Sequence, residues 1–386
     1  MIAMCRGMAG VTLLAVTLSG CSSQEHVSDN VTPPTVRVAL FNIKELSVEK
    51  LAAVTADGHG SHPQLLAAAA VIRDVRPDIL VLQEMDHAVG RSDDLTLTTR
   101  QFCALYLADL YPSPHLLAEP CNTGRLSGVD LDGDGHIATD ADRGERRHGG
   151  DSWGYGTYPG QYSMAVVSRF PIDRVAFRSF RKLRWSDYPG HHIGDALSDE
   201  AREHMRLSSK SHWVVPVQVG SARIELFVSH PTPPVFDGPE DRNGRRNFDE
   251  VGFWAKFLSG ERFPSDQGDP VRWSGAPFIV VGDLNARPDT QESHYDGRTA
   301  IAQLLEHPQV QPIEPTSATH GPATADFGGG ARVDYLLPDR RLDVIQSGVF
   351  WPSEQTNPKG ADNARAASDH RLLWIDLHME SESGEE

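Results

Sequence analysis

Short apolar runs recur along this chain, and each stops on an acid, an amide or an imidazole. Val36-Arg-Val-Ala-Leu-Phe-Asn42 ends in an amide, Asp78-Ile-Leu-Val-Leu-Gln-Glu84 in a carboxylate, and Arg223-Ile-Glu-Leu-Phe-Val-Ser-His230 in an imidazole. Phe278-Ile-Val-Val-Gly-Asp283-Leu-Asn285 ends in an acid and an amide, Ala331-Arg-Val-Asp334-Tyr-Leu-Leu carries an acid, and Ser368-Asp369-His370 precedes a final apolar run. Such runs predict buried strands that deliver polar side chains to their mouths, where ligands sit in α/β proteins. An Asp with an Asn two residues on can project together from one strand end. A single pair of this kind is ordinary turn chemistry; its recurrence is what points to a site. Between the Asn42 and Glu84 strands, residues 64–76 are rich in helix formers and stop before Pro77, which completes a strand-helix-strand unit. Phe248, Val251, Trp254, Phe257 and Leu258 repeat at helical spacing. They predict a second helix over residues 247–258, with these side chains in the core rather than in a ligand stack.

Ahead of the first strand, Arg6 is followed by an apolar stretch from Met8 to Leu18, too short to span stably, so residues 1–20 read as a signal peptide. Leu18-Ser19-Gly20-Cys21 resembles a bacterial lipobox, which implies a lipid on Cys21 and export to the cell envelope, in a leaflet left open. An ordinary secretory signal with a chance cysteine is the alternative. Residues 21–35, with Ser22, Ser23, Asn30, Pro33 and Pro34, have the composition of a flexible tether. Residues 380–386 read as an acidic disordered tail. Export leaves Cys103 and Cys121 in an oxidising compartment, where a disulfide closing a short loop is expected and two free thiols are the alternative. Nothing implies thiol catalysis. Residues 36–379 are expected to form a single domain with a loop-rich insertion at about 88–160.

The formal net charge of −17 opposes tight non-specific binding to nucleic acid, which relies on Lys and Arg against phosphates. It does not exclude a nuclease, because basic groups occur locally at Arg181-Lys-Leu-Arg184 and Arg242-Asn-Gly-Arg245-Arg246. Such runs are ordinarily solvated surface.

The order Asn42, Glu84, His230, Asp283-x-Asn285, Asp334, Asp369-His370 resembles the endonuclease/exonuclease/phosphatase superfamily, the DNase-like metal-dependent phosphoesterases, over essentially the whole mature chain. Tyr158-Pro-Gly-Gln-Tyr162-Ser-Met-Ala and Ser229-His-Pro-Thr-Pro-Pro234 also resemble a secreted bacterial branch of it. The resemblance implies an α/β fold, a four-layer sandwich of two packed mixed β-sheets flanked by helices, with the site at one end between the sheets. It also implies Mg²⁺ or Mn²⁺ at the catalytic site. Hard cations prefer oxygen ligands, so Glu84 is the first candidate ligand, assisted by Asn42 and Asp369. Asp283 would polarise the attacking water, Asn285 would donate to a phosphoryl oxygen, and Asp334 would orient His370 and favour its charged form. His230 resembles the second active-site histidine of secreted nucleases, although a lone histidine at a strand end is ordinarily structural. Tyr162, Lys210, Arg245 and Arg246 are candidate phosphate contacts, with packing or solvation the plainer alternative.

Asp130-Leu-Asp132-Gly-Asp134-Gly135-His-Ile137 resembles an EF-hand or dockerin-type calcium loop. Its twelfth position is Ala141, however, flanked by Asp140 and Asp142, so the match is incomplete. Asp130, Asp132, Asp134 and Asp140 are therefore candidates for a structural Ca²⁺, with a plain acidic loop the alternative.

Together these features predict a lipid-anchored, cell-envelope phosphoesterase that hydrolyses phosphomonoesters or phosphodiesters by metal-assisted attack of water. Its partners would be a phosphate-ester substrate and, through the lipid, a membrane; no protein partner is implied. An extracellular DNase or RNase acting on nucleic acid competes most closely, then a sphingomyelinase-type phospholipid diesterase. A calcium-stabilised surface binding protein with an inactive site is the competitor of a different class.

Overall fold

Val36, Val38 and Leu40 point to one side of the first strand and Ala39, Phe41 and Ile43 to the other, and both sets are buried. A strand apolar on both faces must sit inside a layered structure. The computed structural model describes residues 35–379 apart from Arg91, Ala196, Gln291, Glu292 and Gly328. The expected signal peptide, Cys21, residues 21–34 of the tether and the acidic tail lie outside the described residues, while Thr35, the last residue expected in the tether, opens the first strand.

Two sheets are built from β1 (Thr35–Leu46), β2 (Ile79–Met85), β3 (His115–Leu117), β4 (Ser163–Ser168), β5 (Arg178–Ser179), β6 (His212–Val219), β7 (Ala222–Ser229), β8 (Phe278–Asp283), β9 (Asp334–Pro338), β10 (Asp343–Val349) and β11 (Leu373–His378). The six-stranded sheet has the order β10-β11-β1-β2-β4-β3, and the five-stranded sheet the order β9-β8-β7-β6-β5. Each contains one parallel pair, β1 with β2 and β7 with β8, among antiparallel neighbours, so both are mixed. Val38, Leu40 and Val81 of the first sheet meet Leu226, Val228, Ile279 and Val281 of the second in the central core.

Helices α1 (Pro63–Val75), α2 (Leu97–Tyr106), α3 (Arg242–Leu258) and α4 (Pro358–Ala367) cover the outer faces. Leu65, Ala68 and Ile72 of α1 and Phe102 of α2 pack on Phe41, Leu80 and Leu82. On the far side Phe248, Val251, Trp254 and Phe257 of α3 pack on Phe227, Phe278 and Val280. The Phe227 ring stacks between Trp254, at 4.8 Å, and Phe278, at 5.2 Å. Full burial of each such side chain is worth about 1.5–3 kcal/mol. The four expected layers are thus present.

The helix ends show where pattern reading stops. In α1, Pro63 begins the helix and Arg76 caps it in the left-handed conformation, within a residue of expectation. In α3 the helix starts at Arg242, five residues before the predicted start at Asn247. The extra turns are Arg242-Asn-Gly-Arg-Arg, which carry no apolar period, yet Arg246 points inward and is buried.

Residues 88–160 hold regular structure that belongs to the fold: α2 packs on the six-stranded sheet and β3 extends its edge beside β4. The same segment overturns the expected disulfide. Cys103 and Cys121 are both free and buried. Cys103, on α2, lies in the core on the helix side of the six-stranded sheet, whereas Cys121 lies in the core between the sheets. The sheet itself separates them. Burial pushes the thiols up to about 12 for Cys103 and about 11 for Cys121, so both stay protonated and unreactive. Protein beginning at Ser22 should therefore show no thiol reactive to an aromatic disulfide reagent while native, and both once denatured. Dithiothreitol should leave its melting temperature unchanged; a drop would restore the disulfide.

Candidate active site

The site lies where the C-terminal ends of β1, β2, β7 and β8 meet the start of β9 and the segment leading into β11. Asn42, fully buried on β1, donates Nδ2 to Glu84 Oε1 at 3.1 Å and to Asp283 Oδ2 at 3.0 Å. One amide thus ties a carboxylate of its own sheet to one from the opposite sheet. Next to it, the Gln83 side chain accepts from Asp283 N at 2.7 Å and donates to Ser229 O at 2.8 Å. A Cβ on Gly282 would sit 1.9 Å from Ser229 O and 3.1 Å from Gln83 Nε2, so this close approach requires glycine.

His370 completes the cluster. Its Nδ1 pairs with Asp334 Oδ2 at 2.9 Å, and its Nε2 lies 3.7 Å from Asp283 Oδ2. Asp334 is opposite Asp283 in the β8–β9 register and is positioned by a backbone N–H bond to the buried Thr324 hydroxyl. Burial alone would lower the His370 pKa, but Asp334, Asp283 and Glu84 outweigh it and raise the pKa to about 10. The ring is therefore an imidazolium at neutral pH. Burial raises Asp283 above the carboxylate range; His370 opposes this, while Asp334 and Glu84 add to it. His230, just past β7, places Nε2 3.5 Å from Asp283 Oδ2. Burial, with Lys210 and His370 nearby, drives its pKa well below the usual value, so it is neutral. Its Nδ1 is buried without a hydrogen-bond partner.

Backbone strain aims several of these groups. Glu84 has φ of 56° at a bulge where the β2 register shifts between Gln83 and Met85. Asn285 has φ of 49°, Tyr162 of 52°, and Lys44 and Glu45 of 52° and 56° within the bulge that ends β1. Left-handed backbone is uncommon for side-chain-bearing residues, and such strain concentrates at functional sites. Asn285 N donates to Asp283 Oδ1 at 3.0 Å and its side chain to Pro231 O at 3.1 Å, which links the loops after β7 and β8.

The structure does not bring every expected residue here. Asp369, next to His370, forms an ion pair with Lys44 at 2.9 Å, its side chain 40% exposed. The Tyr162 hydroxyl donates to Glu45 Oε1 at 2.7 Å, and burial first, then Glu45 and the nearby Glu84 carboxylate, raise its pKa. Arg246 is a buried brace: Nε donates to Leu207 O at 2.9 Å, and Nη2 to Trp153 O at 2.6 Å and Arg206 O at 2.9 Å, leaving it no part in phosphate contact. Arg245 donates Nε to Glu240 O and lies over Tyr295. Lys210 does belong to the site. It is buried, which lowers its pKa, and the opposing charges are Glu250, Glu84 and Asp283.

Asp283, Asp334 and His370 place ligand atoms within 4.8 Å of one another, a buried group that suggests a metal site. An imidazolium has no lone pair to give, so the carboxylates are the donors, and Asp334 Oδ1 is buried without any partner. Together with Glu84, which the Asn42 amide joins to Asp283, these carboxylates make one oxygen-rich mouth that fits a hard divalent cation. Asp130, Asp132 and Asp134 form a second group, partly exposed, in which Asp140 is not included. Asp140 instead opens a 3₁₀ turn whose other acid, Asp142, caps Thr139 and meets His136.

Gln83 and Gly282 were in plain view as members of apolar strands, yet carried no expected role. A glutamine inside an otherwise apolar run was the available signal, since a buried amide must find partners. For Thr324 no such signal exists in the chain.

A comparison with curated proteins finds no match. Among solved structures, an endonuclease/exonuclease/phosphatase from Beutenbergia cavernae DSM 12333 is similar over 89% of this chain and 72% of its own, with TM-score 0.52 and 19% identity. The mannosyl-6-phosphatase Bt3783 of Bacteroides thetaiotaomicron VPI-5482 is similar over 89% and 100%, with TM-score 0.46 and 14% identity. The human Nocturnin catalytic domain with bound sulfate is similar over 89% and 94%, with TM-score 0.43 and 15% identity. At 19% identity the likeness to the first of these speaks for the fold alone. The profile of the Endonuclease/Exonuclease/phosphatase family matches residues 39–370, from the strand of Asn42 through His370, and the chain therefore belongs to that family.

Proposed function

We propose that this phosphoesterase hydrolyses phosphomonoesters or phosphodiesters by direct attack of water, without a covalent enzyme intermediate. The observation that carries the reading is the convergence of Asn42, Glu84, Asp283, Asp334 and His370 from both sheets on one buried mouth. Glu84 and the Asn42 carbonyl would hold Mg²⁺ or Mn²⁺, which when bound supplies positive charge for the phosphoryl oxygens. Asp283 takes the proton of the attacking water; its pKa, shifted toward neutrality by burial, suits a general base. As the water oxygen bonds to phosphorus, the ester oxygen leaves on the opposite side. His370, held as a cation on Asp334, donates to the phosphoryl group or delivers the leaving oxygen's proton. The buried Lys210 ammonium adds charge facing the same mouth. Asn285 donates its remaining amide hydrogen to a phosphoryl oxygen.

We also propose export and anchorage through a lipid on Cys21, supported by Leu18-Ser19-Gly20-Cys21. Ca²⁺ at Asp130, Asp132 and Asp134 is supported by their mutual proximity. Its role would be structural.

Hydrolysis of an aryl phosphate or diester should vanish in EDTA and return with Mg²⁺ or Mn²⁺. Asp283→Asn and His370→Ala should each lower kcat by about 10²–10⁴-fold with circular dichroism unchanged, and Glu84→Ala should blunt the metal response. Wild-type turnover in all three would discard the site. Cys21→Ser should move the protein from the membrane fraction to the soluble fraction; retention in the membrane would reject the anchor. The double change Asp132→Ala and Asp134→Ala should abolish a calcium-dependent rise in melting temperature, and no such rise in the parent protein would reject the ion.

A further inference from the structure

Beyond the catalytic mouth, three arginines gather with too little negative charge around them. Arg206 donates Nη1 to Asn122 Oδ1 at 2.7 Å and stacks 3.3 Å over the Trp153 ring. Arg181 has its Nε 3.5 Å from Asp266 Oδ2, both side chains largely buried at 13% and 14% exposure. Its Nε and that of Arg125 are buried without a hydrogen-bond partner. Asp266 is the acid that faces them, and its oxygens already accept from the Ser179 hydroxyl and Lys182 N, both at 2.9 Å. The arginines repel one another: burial first, then Arg181 and Arg125, lower the Arg206 pKa to about 10. Partly buried guanidinium groups in excess over carboxylates are costly unless an anion joins them. In a chain of net charge −17 such an excess is not a general property of the surface.

The Arg206 side opens onto a recess of about 440 Å³ lined by Trp153, Lys182, Arg184, Glu203, His204 and Arg206. Arg184 is neutralised by Asp187 through two hydrogen bonds, which leaves Lys182 and Arg206 as cations set against Glu203. This recess is at the same end of the five-stranded sheet as the catalytic groups. Along that end come Asp283 closing β8, His230 after β7, Lys210 before β6 and Arg181 after β5. Three strand spacings separate β8 from β5, about 15 Å. Asn122 joins the two regions, since its N–H donates to Lys210 O while its side chain binds Arg206 and the Arg181 carbonyl.

We infer that this arginine-lined recess is a second phosphate subsite, which holds a phosphate of the substrate remote from the ester that is hydrolysed. The inference rests on the phosphoesterase reading. The remote phosphate belongs either to a nucleic-acid strand, about four nucleotides away at a rise of ~3.4 Å, or to a small molecule with a second phosphate.

The first measurement is calorimetric binding of inorganic pyrophosphate in EDTA, where the acid-rich catalytic mouth does not compete. Arg206→Gln should weaken binding about tenfold, the worth of one charge-assisted hydrogen bond. Lys182→Glu, an exposed change that leaves packing alone, should also weaken it and should leave aryl phosphate kinetics as they are. A Lys182→Glu rise in KM for an eight-residue oligodeoxynucleotide but not for a dinucleotide identifies a strand phosphate as occupant. A loss of pyrophosphate binding with neither KM altered identifies the small molecule. Pyrophosphate affinity unchanged in both variants overturns the subsite. Variant-sensitive pyrophosphate binding in a protein that hydrolyses nothing keeps the subsite as an anion site and removes the phosphoesterase reading instead.

Discussion

The architecture at the working end depends on one buried amide pair. Gln83 and Asn42 come from neighbouring parallel strands of the six-stranded sheet, and each reaches across the central core to the strand that ends in Asp283. Elsewhere the two sheets meet through apolar side chains, which resist separation but are indifferent to small slides. The amides are not indifferent, because a buried donor or acceptor that loses its partner costs about 1–3 kcal/mol. They therefore hold the two sheets in one relative position at the place where Glu84 and Asp283 must face each other. Gly282 is the condition for it, since any side chain there would collide with Ser229 O.

The same end of the molecule also carries backbone strain. Glu84, Asn285 and Tyr162 are left-handed, and a strand interrupted by a bulge re-aims a side chain that regular pleating would send into a sheet face. For Glu84 the consequence is direct: in an unbroken β2 it would follow the alternation of Leu82, whereas at the bulge it meets Asn42. The apolar sheet rim around the site makes that strain tolerable, since the bulged residues are fixed on both sides by buried neighbours such as Leu82 and Met85.

Charge is organised in the opposite sense to the composition. The chain is strongly acidic, yet its buried acids at the mouth face His370 and Lys210, and the adjoining recess is cationic. Asp334 and Asp283 keep His370 charged despite burial, while His230, which lacks a close carboxylate partner of that kind, is kept neutral. Two histidines of the same site thus differ in protonation because one has Asp334 at 2.9 Å and the other has an unpaired Nδ1.

By itself the sequence determined six of the eleven strands of the two sheets, two of the four flanking helices and the polar residues beside those strands, because hydrophobic periodicity and abrupt termination are local properties that survive any tertiary arrangement. Asn42, Glu84, Asp283, Asp334 and His370 were legible for that reason. What a polar residue does once delivered was not legible, since it depends on the opposing element. Asp369 sits beside His370 in the chain but is claimed by Lys44 from β1, and Arg246 sits beside Arg245 but turns into the core. Cys103 and Cys121 suggested a bridge by number and compartment, while the sheet between them forbids it. Tertiary structure alone decided these cases, because pairing, burial and separation across a sheet are set by residues far away in the chain, whose positions no local pattern encodes.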